Sequence, residues 1–453
     1  MIEYIKDSDI KALKKYKYSS VDKSLIQKYI LNPYWCWLVE KVPLWVAPNL
    51  ITLSGFMFMV VSVCLLIFYG SNWEQVPGWL YVLWGVNLFI YQSLDAIDGK
   101  QARRTGSSGP LGELFDHGCD AINTTLAFIC ILSALGIGTS FLCVFTILAA
   151  LTNFYVSSWE TYHTHTLFLS YISGPVEGIL SGCALLITTG FVGPQFWSQS
   201  VNQLLGTSYE YLNFPMYQFA CAVIAILGLF NVVCSSINVV NYTKNHDESL
   251  AKKSLGLIPH LFICAFVMLW TQSSSTLISN NLIPFFLFIG FCFGHQVGLI
   301  ILNHVAKKSF PYWNRMYNLV LGAGLTCMSV STDFVGLAGK YGITLFDTLV
   351  KVQKYRDAVI DLLKGEGLNV ALLERYVMWG LVLISFMMYM EFALYVINRL
   401  CGIFDINCLS IKHPKITMTS KVESPVYTTS PVGKKLISSP DSQLVSRRRR
   451  NRM

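Results

Sequence analysis

Charge is what this chain has least of. Only 13% of its 453 residues are Asp, Glu, Lys or Arg, where a soluble globular protein carries about a quarter. The shortfall runs along most of the length, which excludes a water-solvated domain and leaves lipid as the main solvent. Metal-finger chemistry is also missing: none of the 13 cysteines forms a CxxC pair or paired-finger spacing. Lying mostly in apolar runs, they read as small buried hydrophobes. No aromatic-basic module accompanies the net charge of +8, so nucleic acid is not an expected partner and an anionic membrane surface is. No cleavable signal peptide is expected, because the first 46 residues carry eight Lys and five acids and the first long apolar run follows them.

What is present is a series of apolar runs, each about 20 residues and long enough to span a bilayer. They fall near 47–70, 77–94, 118–137, 139–158, 173–194, 215–241, 255–272, 283–303, 316–337 and 376–398. Barrel strands are far shorter, so the fold class is an all-α integral membrane protein of about ten transmembrane helices. Residues 1–46 read as a cytosolic lead-in. Its second half mixes Leu25, Ile26, Ile30, Trp35, Trp37 and Leu38 with Lys23, Lys28 and Lys41, an interfacial helix with tryptophans at headgroup level or, alternatively, a lead-in packed on its own loops. Residues 47–400 form the membrane domain. From 408 to 453 Ser, Thr, Pro and Lys dominate, ending in Arg447 to Arg450; a disordered basic cytosolic tail outside the catalytic unit is expected.

The short loops set the orientation. Those near 71–76, 195–214 and 273–282 lack Lys and Arg, whereas the alternate ones hold Lys100, Arg103 and Arg104, then Lys244, Lys252 and Lys253, then Lys307, Lys308 and Arg315. The second set, with both termini, is expected to be cytosolic. Residues 338–368 fit badly, being nominally lumenal yet rich in balanced charge, and read as an amphipathic insertion.

The densest chemistry lies at 91–120. Asp95 and Asp98 are three apart, Asp116 and Asp120 four apart, so each pair shares a helix face. Gly99 and Ala102 leave room beside the first pair, while Glu113, Asp116, His117 and Asp120 form one polar stripe. Four aspartates meeting at a membrane edge repel one another and are costly to desolvate. Divalent cations remove that cost, and all-oxygen ligands favour Mg²⁺ or Mn²⁺, two ions forming the clamp that neutralises a diphosphate. Arg103 suits a phosphate oxygen. The bland alternative is that the acids merely pair with Lys100, Arg103 and Arg104 in a solvated loop.

The pattern Asp95-x2-Asp98-Gly99-x2-Ala102-Arg103-x8-Gly112-x3-Asp116-x3-Asp120 resembles, at all eight fixed positions over 26 residues, the signature of the CDP-alcohol phosphotransferase family. The wider wording, YQSLDAIDGKQARRT with GELFDHGCD, is similar to the eukaryotic choline/ethanolamine phosphotransferases. The similarity runs from about 30 to 400, through PNLITL at 48–53 and GPVEG at 174–178. It implies a ten-helix, often dimeric enzyme of endoplasmic reticulum or Golgi membranes. Such an enzyme converts CDP-choline or CDP-ethanolamine and diacylglycerol to phosphatidylcholine or phosphatidylethanolamine and CMP. It further implies Asp95, Asp98, Asp116 and Asp120 as metal ligands and Arg103 as a phosphate contact. Asn49 would touch the nucleotide or diphosphate, unless it only caps a helix. Tyr91 and Gln92 would line the cytidine side, unless they only pack.

His117 is the expected general base, its ring held by Glu113; the alternative bases are Asp120 and a metal-bound hydroxide. Glu177 is open between function and an interhelical hydrogen bond, and His260, His295, Asp333 and Glu391 are expected to make structural hydrogen bonds. Two other readings compete: a phosphatidylinositol- or phosphatidylglycerolphosphate-type synthase, which resembles a shorter chain of about six spans, and a transporter using intramembrane carboxylates, which would place them at broken helices near the midplane.

Overall fold

The computed structural model describes residues 2–412 except 23, 25, 71–72, 170–174, 208, 247–248 and 332–369. The expected insertion at 338–368, Asp333 and the tail beyond 412 lie outside the described residues. Eleven helices of ten or more residues are described: α1 Asn32–Lys41, α2 Pro48–Gly70, α3 Gly78–Thr105, α4 Pro110–Ala134, α5 Phe141–Thr164, α6 Pro175–Val192, α7 Met216–Asn245, α8 Ile258–Ser273, α9 Leu282–Val305, α10 Arg315–Ser331 and α11 Val370–Phe404. Helices α2 to α11 stand at the ten apolar runs. Among the described residues, seven helical stretches are long and apolar enough to cross a membrane, and Val176–Val192 is an apolar but shorter one.

Helix ends depart from the apolar runs where the polar chemistry begins. Helix α3 continues eleven residues past the expected 94, through both aspartates, and α4 starts at Pro110 rather than 118. Proline suits a first helical turn because its missing N–H has no partner to lose, and Gly106 ends α3 in the left-handed conformation at φ 64°. The motif is therefore a helical hairpin with a four-residue turn, not a loop.

Glycines set the spacing around α3. A Cβ on Gly190 of α6 would lie 2.8 Å from the Gly78 carbonyl oxygen and 3.0 Å from the Val82 nitrogen, and one on Gly85 would lie 3.0 Å from the Cys183 carbonyl. Such small residues let membrane helices approach backbone to backbone. On its other side α3 packs on α2; α4 packs on α2 and α9, α5 on α7, and α9 on α11. Helix α9 is buried almost along its whole length. By contrast α7 exposes Phe219, Ile226, Leu229 and Ile237, as a lipid-facing helix does.

The lead-in helix is present but shorter and more deeply committed than an interfacial helix. Trp35 and Val39 are buried against Ile51, Ile97 and Val176, so Trp35 is packing, not a headgroup anchor; Trp37 and Trp45 remain exposed. The terminal carbonyls of α1 are bonded from α3, with Arg104 donating to Val39 and Val42 oxygens, and Gln101 donates to Pro43 and Val46 oxygens at 2.9 and 3.0 Å. A three-residue parallel pairing, β1 Ser20–Asp22 with β2 Leu167–Leu169, ties the lead-in to the body.

Close packing at the α3–α6 seam generates a test. Gly190→Ala should cost about 1–3 kcal/mol by overpacking and lower the melting temperature in detergent, whereas Gly228→Ala, with nothing within 4 Å of its added Cβ, should not. Equal melting temperatures for both variants would show that the seam has room to spare.

Candidate active site

Depth in the hairpin is set by helical rise. At 1.5 Å per residue, Asp98 and Asp116 lie roughly 10 Å below the turn, and Asp95 and Asp120 roughly 15 Å. One carboxylate oxygen from each of Asp95, Asp98 and Asp116 falls within 4.8 Å of the others. Asp120 adjoins Asp95. Two buried oxygens, Oδ1 of Asp95 and Oδ1 of Asp116, accept no hydrogen bond, although buried carboxylate oxygens normally find donors. Hard oxygen donors left open at this spacing fit a divalent cation.

Two of the motif's three cations, Lys100 and Arg104, are engaged away from the cluster, while Arg103 acts on Asp98 through its charge. Lys100 Nζ donates to Asn32 Oδ1 at 2.6 Å, and Arg104 caps α1. The solvated ion-pair alternative is thus not realised by either. Arg103 is exposed at the rim, with one guanidinium nitrogen 3.6 Å from where a Gly99 Cβ would stand. Apart from that side chain, no atom of the described residues beyond the helix's own backbone and the chain neighbours lies within 4 Å of where a Gly99 Cβ would stand, and Ala102 is half-buried on the next turn. This leaves an open approach to the carboxylates beside a free guanidinium.

Neighbouring hydroxyls hold the acids in place. Thr52 of α2 donates to Asp98 Oδ2, and Tyr91 donates to Asp120 Oδ1. Tyr91 is buried beside a carboxylate, a place that its expected cytidine-side role did not suggest. Gln92 is buried too, with its Oε1 unpartnered. Asn49 is the second residue of α2, not its cap; its Nδ2 contacts Cys408 Sγ at 3.7 Å, and its Oδ1 lies 3.9 Å from the position of a Gly112 Cβ. It therefore borders the N-terminal turns of α4.

His117 is buried, and its Nδ1 lies 3.1 Å from the Glu113 carbonyl oxygen and 3.6 Å from Asp116 Oδ2. A carbonyl cannot donate, so Nδ1 carries the proton and, in the neutral ring, Nε2 is the basic nitrogen. The expected carboxylate contact from Glu113 is corrected: the backbone carbonyl orients the ring, while the Glu113 carboxylate accepts from Tyr16. Thr52 and Tyr16 were missed by sequence reasoning, since they lie 46 and 97 residues from their partners and carry no spacing signal.

Elsewhere Glu177 accepts from Ser24 of the lead-in, Glu391 from Arg315, and His260 lies 3.1 Å from Thr152 Oγ1. His295 departs from expectation: neither ring nitrogen has a hydrogen-bond partner, and the ring packs against Phe392. Helices α3 and α4 run unbroken past the carboxylates, unlike the interrupted helices expected of a transporter.

Comparison with known proteins agrees with this geometry. A sequence profile of the CDP-alcohol phosphatidyltransferase family matches residues 45–192, spanning α2 to α6. Choline/ethanolaminephosphotransferase 1 of Saccharomyces cerevisiae is 41% identical over 323 residues, 69% of this chain and 81% of that protein. Cholinephosphotransferase 1 of the same yeast is 35% identical over 430 residues, covering 91% of this chain and 99% of that one. Choline/ethanolaminephosphotransferase 1 of Arabidopsis thaliana is 37% identical over 317 residues, 67% and 79% of the two chains.

A cation site present only in the folded chain stabilises it by mass action. Mg²⁺ at about 100 times its dissociation constant should add about 2.7 kcal/mol, read as a rise in melting temperature. Asp116→Asn should lose most of that rise. An equal rise in parent and variant would place the ion elsewhere.

Proposed function

This chain belongs to the CDP-alcohol phosphatidyltransferase family, and from that premise we propose that it transfers phosphocholine and/or phosphoethanolamine from the CDP-alcohol to diacylglycerol, releasing CMP. The observation that carries the reading is the carboxylate cluster of Asp95, Asp98 and Asp116 with two orphaned buried oxygens. Asp120, held by Tyr91, completes the proposed ligand set for Mg²⁺ or Mn²⁺, with two ions as the proposed number. When bound, the ions neutralise the diphosphate and stabilise charge developing at phosphorus.

The chain's own residues would do the rest. Arg103 is free to grip a diphosphate oxygen bidentately. Gly99 and Ala102 let the diphosphate come close, Asn49 and Gln92 shape the nucleotide end, and Tyr91, expected on the cytidine side, instead positions Asp120. The diacylglycerol hydroxyl oxygen forms a bond to the phosphorus that carries the alcohol. The bond from that phosphorus to the bridging oxygen breaks, CMP departs, and the hydroxyl proton passes to His117 Nε2. Glu113 supports this step through its carbonyl, which fixes the tautomer.

Loop charges support a cytosolic site and cytosolic termini. The resemblance supports an endoplasmic reticulum or Golgi membrane and a homodimer. Residues 47–400 would form the catalytic domain, with the tail outside it except at its root, where Cys408 contacts Asn49.

Diacylglycerol-dependent release of CMP from CDP-choline or CDP-ethanolamine by the purified protein tests the function. EDTA should stop it, and Mg²⁺ or Mn²⁺ should restore it. Asp98→Ala should abolish turnover in a folded protein; activity within a few-fold of the parent contradicts the metal reading. His117→Ala should cost roughly 10²–10⁴ in kcat with CDP-choline and metal binding near normal. Retained turnover would move the base to Asp120 or a metal-bound hydroxide.

A further inference from the structure

The N-terminal residues preceding α1 are bound to the membrane body at several separate points. Ile5 and Leu13 are fully buried. Lys308 Nζ donates to the Tyr4 carbonyl at 2.9 Å and pairs with Asp9 at 3.3 Å, Arg399 pairs with Asp7, and Tyr395 donates to the Ile5 carbonyl at 3.4 Å. Beyond Tyr16, the Ser19 carbonyl accepts from Leu167 N at 3.0 Å, where the β1–β2 pairing begins. Tyr16 is thereby anchored on both sides, from Lys308 in the loop after α9 and from α11 before it, and from β2 after it.

That placement delivers the Tyr16 hydroxyl to the Glu113 carboxylate in the first turn of α4, with the Tyr16 ring edge-on to His304 at 5.9 Å between centroids. Glu113 is itself buried, and its carbonyl is the oxygen that sets the ring of His117. Burial and the neighbouring Glu113 carboxylate push the Tyr16 hydroxyl above its ordinary range, so it remains a donor. First turns of helices fray. A donor on the side chain of residue 113 restrains the same backbone whose carbonyl aims the imidazole.

We propose that the N-terminal segment is a strap belonging to the catalytic apparatus, with Tyr16 the positioning residue that fixes Glu113 and, through its carbonyl, the ring of His117. Tyr16 itself touches neither substrate nor metal. The inference rests on the assignment of His117 as base.

Tyr16→Phe removes the hydroxyl and keeps the ring against His304, so the variant should still fold, with a modestly lower melting temperature because the buried Glu113 carboxylate loses its donor. In the full-length protein assayed with CDP-choline, diacylglycerol and Mg²⁺, kcat should fall about ten- to a hundred-fold, as for loss of a hydrogen bond to a charged group. KM for CDP-choline and the affinity for Mg²⁺ should not move. In a Glu113→Gln background the same substitution should have little further effect, because the two act as one unit. Unchanged kcat in Tyr16→Phe, or losses that simply multiply in the double variant, would overturn the strap. An inactive His117→Ala beside a fully active Tyr16→Phe overturns the strap alone, whereas an active His117→Ala overturns the base assignment beneath it.

Discussion

Like charges crowded where water is scarce are the constraint on which the rest of this structure depends. At 4.8 Å, two carboxylates repel by about 3.5 kcal/mol even at an effective dielectric of about 20. Several such pairs would consume much of the marginal stability of a folded chain. The motif's own lysine and one of its arginines are turned away to hold α1, so offsetting the charge of the cluster is left to Arg103 and to a cation that the cluster could hold. A helical hairpin brings two pairs of acids to matching depth from both sides, and no other element has to move to complete the cluster.

The surrounding architecture holds that hairpin at fixed spacing. Glycine contacts bring α3 against α6, α2 contributes Thr52 to Asp98, and α9 and α11 back α4, where Tyr389 donates to the Gly118 carbonyl at 3.1 Å. Hydroxyl donors hold one oxygen each of Asp98 and Asp120, as outer-shell partners orient ligands in metal sites generally. The Gly99 face and the exposed Arg103 beside it leave an approach to the cluster, suited to a diphosphate.

Much of this was legible in the residues. Ten apolar runs mark α2 to α11, because span length is dictated by bilayer thickness rather than by partner-dependent packing. The acids of the site were legible from their spacing of three and four, which places them on common helix faces. Helix ends were less so: residues 95–105 and 110–117 are polar and fell outside a hydropathy reading, yet they continue α3 and α4. Trp35 looked like a headgroup anchor because amphipathic composition does not say which neighbour covers it, and α3 covers it here. Tyr16 and Thr52 were out of reach, since each acts through a contact that only tertiary packing creates, whereas the Glu113 carbonyl lies one turn before His117 on the same helix and was passed over in favour of the side chain.

The central claim is that the four aspartates form one site for paired divalent cations. Mn²⁺ electron paramagnetic resonance on the purified protein with CDP-choline addresses it directly, because two ions held by one carboxylate cluster are magnetically coupled. The account predicts two bound Mn²⁺ per chain with a spin-coupled signal, lost together in Asp95→Asn. A single uncoupled Mn²⁺, or a coupled signal that survives that substitution, would contradict it.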